Sequence, residues 1–196
     1  RELVPCYNAM LLEAWCRLGM AQSPQAQAAL RWILQYQLFD RGEKTAWPHK
    51  GVCKHGGCLG KTPCYIGVGK TVRALITYAE CTGGQDLRVE TALEKGCAYM
   101  LRHQLFLRLS LPEPICPHIT DIMMPQSYAL SLTDLAYIAV KRKLTGKPEA
   151  AAFLDLLKAK ETGQNQWKID YIYRYQGYVG FEGRRKASEW ISALFH

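Results

Sequence analysis

A rough internal repeat of about sixty residues constrains this 196-residue chain more than any other feature. Cys6-Tyr7-Asn8-Ala9-Met10 opens one apolar helical stretch, and Cys64-Tyr65-Ile66-Gly67-Val68 opens another 58 positions on. A third copy begins at Tyr128-Ala129-Leu130, 63 positions after Tyr65. The segments that follow are echoed too: Leu34-Gln35-Tyr36-Gln37-Leu38-Phe39 returns as Leu101-Arg102-His103-Gln104-Leu105-Phe106. A period this long reads as one supersecondary unit copied several times. Here the unit is a helical hairpin, which buries its apolar face by stacking on its copies.

The apolar spacing supports this unit along the chain. Residues 7–18 are apolar on nearly all sides and end at Gly19, a residue suited to closing a helix. Ser23-Pro24 fits an N-cap followed by Pro at the first helical position, and Ala26, Ala29, Leu30, Ile33, Leu34 and Gln37 carry a helix to about residue 38. Further helices are expected over 65–80, 86–105, 126–142 and 148–160, with a shorter one over 187–195, and no segment reads as a strand. Links within a hairpin are short, whereas residues 39–63, 106–125 and 161–186 form long links between hairpins. Loops of that length are commonly functional. Stacked hairpins would gather these links at one end, beside the N-termini of the first helices. Unpaired N–H groups and partial positive charge at those N-termini suit an anion or a reactive thiol.

Hydrophobic residues make up 48% of the chain and charged residues 21%, the balance of a folded globular protein. No apolar run approaches the roughly twenty residues of a membrane span. The absence of a visible leader leads us to expect a cytoplasmic protein with reduced thiols, trimmed at one or both ends. The net charge is +8, densest at Lys141-Arg142-Lys143 and Arg184-Arg185-Lys186. Neither cluster is interleaved with aromatics in a nucleic-acid motif, so no nucleic-acid partner is expected. A solvated cationic surface, a peripheral contact with anionic lipid, or a protein partner remains open.

Eight cysteines raise a metal question. Cys16, Cys81 and Cys97 fall in helical patterns, where a thiol acts as a small apolar group. Cys53, Cys58 and Cys64, with His49 or His55, fall in one Gly-rich stretch and have the donor types zinc takes. The alternative is reduced thiols packed in an ordered loop. Cys6 and Cys64 each stand at a helix start, as a nucleophile or ligand, or because the repeat keeps a small residue there. Gly67-Val68-Gly69-Lys70-Thr71 mimics a phosphate loop but lacks the earlier glycine and the preceding strand. Its glycines are better read as permitting a close helix approach.

The hairpins also carry a resemblance. Leu30-Arg31-Trp32-Ile33-Leu34-Gln35-Tyr36-Gln37, then Asp40-Arg41-Gly42 and Trp47, resemble the repeat of squalene-hopene cyclases and protein-prenyltransferase β subunits. Cys6-Tyr7-Asn8, Cys58 through Cys64, Met124-Pro125-Gln126-Ser127-Tyr128 and Ala187-Ser188-Glu189-Trp190-Ile191 resemble, more closely, a group of uncharacterised bacterial squalene-cyclase-like proteins. The resemblance implies an all-α fold, an α/α toroid of inner and outer helices forming a single, partial domain. It also implies a central cavity for an isoprenoid or other apolar ligand. By the same resemblance Tyr7, Tyr65, Tyr128 and Trp190 would line the cavity, where ring faces stabilise cations. Lys70 and Arg73, with Lys61, would hold an anionic head group at the inner-helix starts. The cyclases protonate substrate with an Asp-x-Asp-Asp run, which this chain lacks. Where the bacterial group has an acidic residue this chain has Ser131, with Asp134 one turn later, and Thr62 replaces the group's His. Asp134 and Cys64 are thus the remaining catalytic candidates. Cys53, Cys58, Cys64 and His55 are the zinc candidates of a thiol-dependent transferase, and a non-catalytic helical scaffold is the rival reading.

Overall fold

A computed structural model describes residues 4–47, 62–173 and 182–195. The chain divides into two compact units, Arg1–Met100 and Leu101–His196. The described residues are mostly helical, as expected of an all-α protein. Among them the strands amount to one two-stranded sheet.

The first unit holds two hairpins. Helix α1 (Pro5–Arg17) turns at Gly19, whose φ of +75° is left-handed, and α2 (Pro24–Tyr36) returns along it. Ser23 caps α2 by accepting the Ala26 N–H at 3.2 Å, with Pro24 in the first turn. The hairpin is pinned inside by Asn8, which is buried and donates from Nδ2 to the Ala29 carbonyl at 3.1 Å. A buried amide with a partner avoids the desolvation cost that an unpaired one would carry.

Helix α3 (Tyr65–Thr82) closes at Gly83, again left-handed at φ +81°. It lies along α1, and their order of contact fixes the direction. Glu13 meets Arg73 at 3.0 Å midway, and the Cys81 thiol meets the Cys16 carbonyl at 3.6 Å near the C-terminal ends. The two first helices therefore run parallel, as copies of one repeat should. Helix α4 (Leu87–Arg102) returns antiparallel, bringing Tyr99 within 6.2 Å of Tyr65, centroid to centroid. A Cβ at Gly96 would stand 2.4 Å from Val72 Cγ2 and 3.1 Å from Phe39 Cε1, so α4 depends on glycine to approach α3 this closely. Leu12, Ile33, Val68, Val72, Leu75, Leu93 and Met100 fill the space between the helices.

The second unit departs from the expected hairpin. A helix over 126–142 was expected, but α5 spans only Leu132–Lys141. The cause is local. The Ser131 hydroxyl accepts the Asp134 N–H, and the Asp134 carboxylate accepts the Ser131 N–H at 3.0 Å and its hydroxyl at 2.9 Å. This reciprocal box starts the helix where it stands and leaves Tyr128 on the preceding loop. The α4 helix likewise stops short of residue 105. Gln104 and Leu105 turn left-handed, at φ +46° and +67°, and Leu105 becomes fully buried.

The loop from 103 to 131 is anchored by Ile119, Ile122 and Met123, all with no exposed surface. Thr133 of α5 bonds both backbone groups of Met123, accepting its N–H at 3.1 Å and donating to its carbonyl at 3.2 Å. A short 3-10 turn, Pro148–Ala150, leads into α6 (Ala151–Ala159). A hairpin of β1 (Glu161–Gly163) and β2 (Gln166–Trp167) follows, where no strand was expected. Trp167 secures it, donating from its ring to the Leu157 carbonyl at 2.9 Å and from its backbone to Ser192 of α7 (Glu189–Phe195) at 3.1 Å.

Candidate functional site

The strongest concentration of expected site residues is at the paired starts of α1 and α3. Val4, extended, precedes α1, and Pro5 and Cys6 form its first turn. Cys64 is the N-cap of α3. Gly67 lets these turns meet: a Cβ there would lie 3.1 Å from Pro5 Cβ and 3.7 Å from Cys64 Cβ. The close approach expected of this glycine run is thus made on α1. Two parallel helices then present their N–H ends side by side, and their partial positive charges add.

Both thiols are half-buried and near enough to influence each other. Burial pushes the Cys6 thiol up, and Cys64 adds to that push. The N–H groups of Tyr7 and Cys6 and the Lys70 charge pull it back without overcoming burial. The helix start therefore does not make Cys6 a ready thiolate. Lys70 is only 3% exposed and is engaged within the fold, so it acts here through its field. Tyr65 is buried in the same turn, against Tyr99.

Arg73 belongs to the middle of the helix pair. Its Nε meets both Glu13 carboxylate oxygens at 3.0 Å, and Glu13 also accepts from Arg17 at 2.9 Å. Reading Arg73 as a head-group ligand overlooked Glu13. The two positions are sixty apart, so the repeat period itself aligns them. Tyr7, by contrast, is 55% exposed. It heads an apolar stripe along α1 that continues through exposed Leu11, half-buried Trp15 and exposed Leu18.

The other described candidates belong to the second unit. Asp134 has no exposed surface, and its carboxylate is used in the cap of α5. Tyr128 is half exposed and meets Tyr173 edge-on at 6.4 Å, and Trp190 is largely exposed on α7. Cys53, Cys58 and His55, with His49 and Lys61, lie outside the described residues. Of the zinc set, Cys64 alone is described, with a donor sulfur suited to that metal. Among the described residues no group of three or more His, Cys, Asp or Glu is placed to hold a metal ion. Nor, among them, is any helix long and apolar enough to cross a membrane.

Arg184, Arg185 and Lys186, for which a solvated surface was one open reading, are all exposed and line an open cleft with Lys168, Asp170 and Glu182. Sequence reasoning missed one feature: Cys81, read as a small apolar residue in a helix, is exposed, while Cys16 and Cys97 are buried as expected. The available signal was position, since Cys81 sits just before a glycine pair. No family model, curated protein or solved structure matches the chain.

Proposed function

We propose that this protein is a terpenoid-cyclase-like α/α hairpin protein that binds an isoprenoid or other apolar ligand. In this reading α1 and α3 are inner helices of a partial toroid, and α2 and α4 are outer ones. One observation carries it. The α1 stripe of Tyr7, Leu11, Trp15 and Leu18 starts beside the paired helix N-termini and runs along α1. Eleven residues of helix give an apolar track about 16 Å long. The tail would lie on that track and an anionic head at the helix starts, within the field of Lys70. Catalysis is unassigned: Asp134 is committed to a helix cap, Cys64 stands as the half-buried N-cap of α3, and burial raises the Cys6 thiol rather than lowering it. The same exposed stripe favours a second reading, a scaffold that docks a partner protein on α1.

Thermal-shift titration separates the two. Geranyl, farnesyl and geranylgeranyl diphosphates should raise Tm progressively, each above inorganic pyrophosphate and above the matching alcohol. Leu11→Asp should abolish the chain-length dependence while leaving the helices folded by circular dichroism. Equal responses to short alkyl phosphates and long prenyl diphosphates, or no response, would leave the scaffold reading standing.

A further inference from the structure

The parallel α1 and α3 carry a second cysteine pair at their other end. Cys16 lies in the last turn of α1, 2% exposed, and Cys81 lies in the last turn of α3, exposed to solvent. The Cys81 sulfur is 3.6 Å from the Cys16 carbonyl oxygen. The two thiols are also close enough for the charge of one to act on the other. Burial, the adjacent Cys81 and Glu13 push the Cys16 thiol up to about 11, with Arg17 opposing. This site is at the opposite end of the helix pair from Cys6 and Cys64.

We propose that Cys16 and Cys81 form a reversible disulfide that staples the C-terminal ends of α1 and α3, with a small-molecule disulfide such as glutathione disulfide as oxidant. The exposed Cys81 thiolate attacks one sulfur of that oxidant. Its S–S bond breaks, one glutathione thiolate leaves and takes up a proton, and Cys81 carries a mixed disulfide. The Cys16 thiolate, its proton released to solvent, then attacks the Cys81 sulfur, forming the Cys16–Cys81 bond and expelling the second glutathione. Two protein thiols are oxidised by two electrons in total, and one glutathione disulfide is reduced to two glutathiones. The second step is the slow one, because the Cys16 proton is tightly held. The bond closes a loop of about 65 residues, enough to constrain the unfolded chain strongly.

The test treats the whole chain with glutathione disulfide, quenches it with N-ethylmaleimide in denaturant, and maps non-reduced peptides by mass spectrometry. The expected result is a mixed disulfide on Cys81 that converts to a Cys16–Cys81 linked pair two hydrogens lighter than its parts. Tm should rise by about 10 °C, and dithiothreitol should reverse both changes. Cys81→Ser removes an exposed thiol and its long contact with the Cys16 carbonyl, so it should stay close to the reduced protein's Tm and lose both the link and the rise. A mixed disulfide that persists with Cys16 still open to alkylation overturns the proposal. So does linkage of Cys81 to any other cysteine, or oxidation confined to Cys6 and Cys64. A Tm rise that survives in Cys81→Ser would assign the stabilisation to another pair and overturn it as well.

Discussion

The two units make opposite use of similar raw material. In the first, two hairpins meet through small and apolar residues: Gly67 against Pro5, and Gly96 against Val72, around a core of Leu12, Val68, Leu75 and Leu93. In the second, the third copy of the repeat gives way to a long loop held by buried polar groups: Ser131 and Asp134 at the start of α5, Thr133 on Met123, and Ser188 before α7. One device shows the contrast well. A serine caps α2 and another caps α5, but Ser23 is part-exposed while Ser131 is fully buried. Water can replace the first bond and cannot reach the second. The same residue type is thus a local stop signal in one unit and a tertiary anchor in the other.

That comparison is open to direct attack. The largest effect is expected from Asp134→Ala, which removes the acceptor of two buried donors and one half of the capping box. It should lower stability by about 3 kcal/mol in urea denaturation. A midpoint close to wild type would mean that the second unit does not depend on its polar anchors. Next, Gly96→Ala tests whether the first unit depends on close approach. The added methyl meets Val72, a buried β-branched side chain with little rotameric freedom. Overpacking of about 1–3 kcal/mol should outweigh the better helix propensity of alanine, so the variant unfolds at lower urea than wild type. A stabilised Gly96→Ala protein would show that α3 and α4 leave room for a methyl group at this contact. The smallest change is expected at Ser23→Ala, about 1 kcal/mol, because the orphaned Ala26 N–H can turn to water. If Ser23→Ala proved as costly as Ser131→Ala, the contrast between exposed and buried caps would fail.

How much could be read beforehand differs between the units for a physical reason. Helix signals that act within a few residues were legible: Ser23-Pro24 starting α2, Gly83 ending α3, and the apolar spacing of Val89, Ala92, Leu93 and Met100. Tyr128 carried the repeat's lettering, yet the backbone there follows the capping box that starts at Ser131, so the helix begins four residues after it. The strands at 161–167 were too short to show an alternating pattern, and Trp167 holds them through contacts with α6 and α7. Asp134 looked like a catalytic acid because sequence shows a carboxylate but not what occupies it. Arg73 looked like a free cation because its partner, Glu13, is sixty residues away.

The sequence by itself determined that this chain would be mostly helical, with two copied hairpins in its first unit, and helix ends marked by serine, proline and glycine. Periodicity and capping are properties of neighbours along the chain, and no distant contact is needed to express them. Only the tertiary structure decided what the polar and thiol groups would do. Parallel packing set Glu13 on Arg73 and brought Cys81 to Cys16. It also half-buried Cys6, and that burial raises its thiol against the pull of the helix start. Burial and pairing are set by groups that meet only after folding, and the same side chain ionises or stays protonated according to which of them it meets.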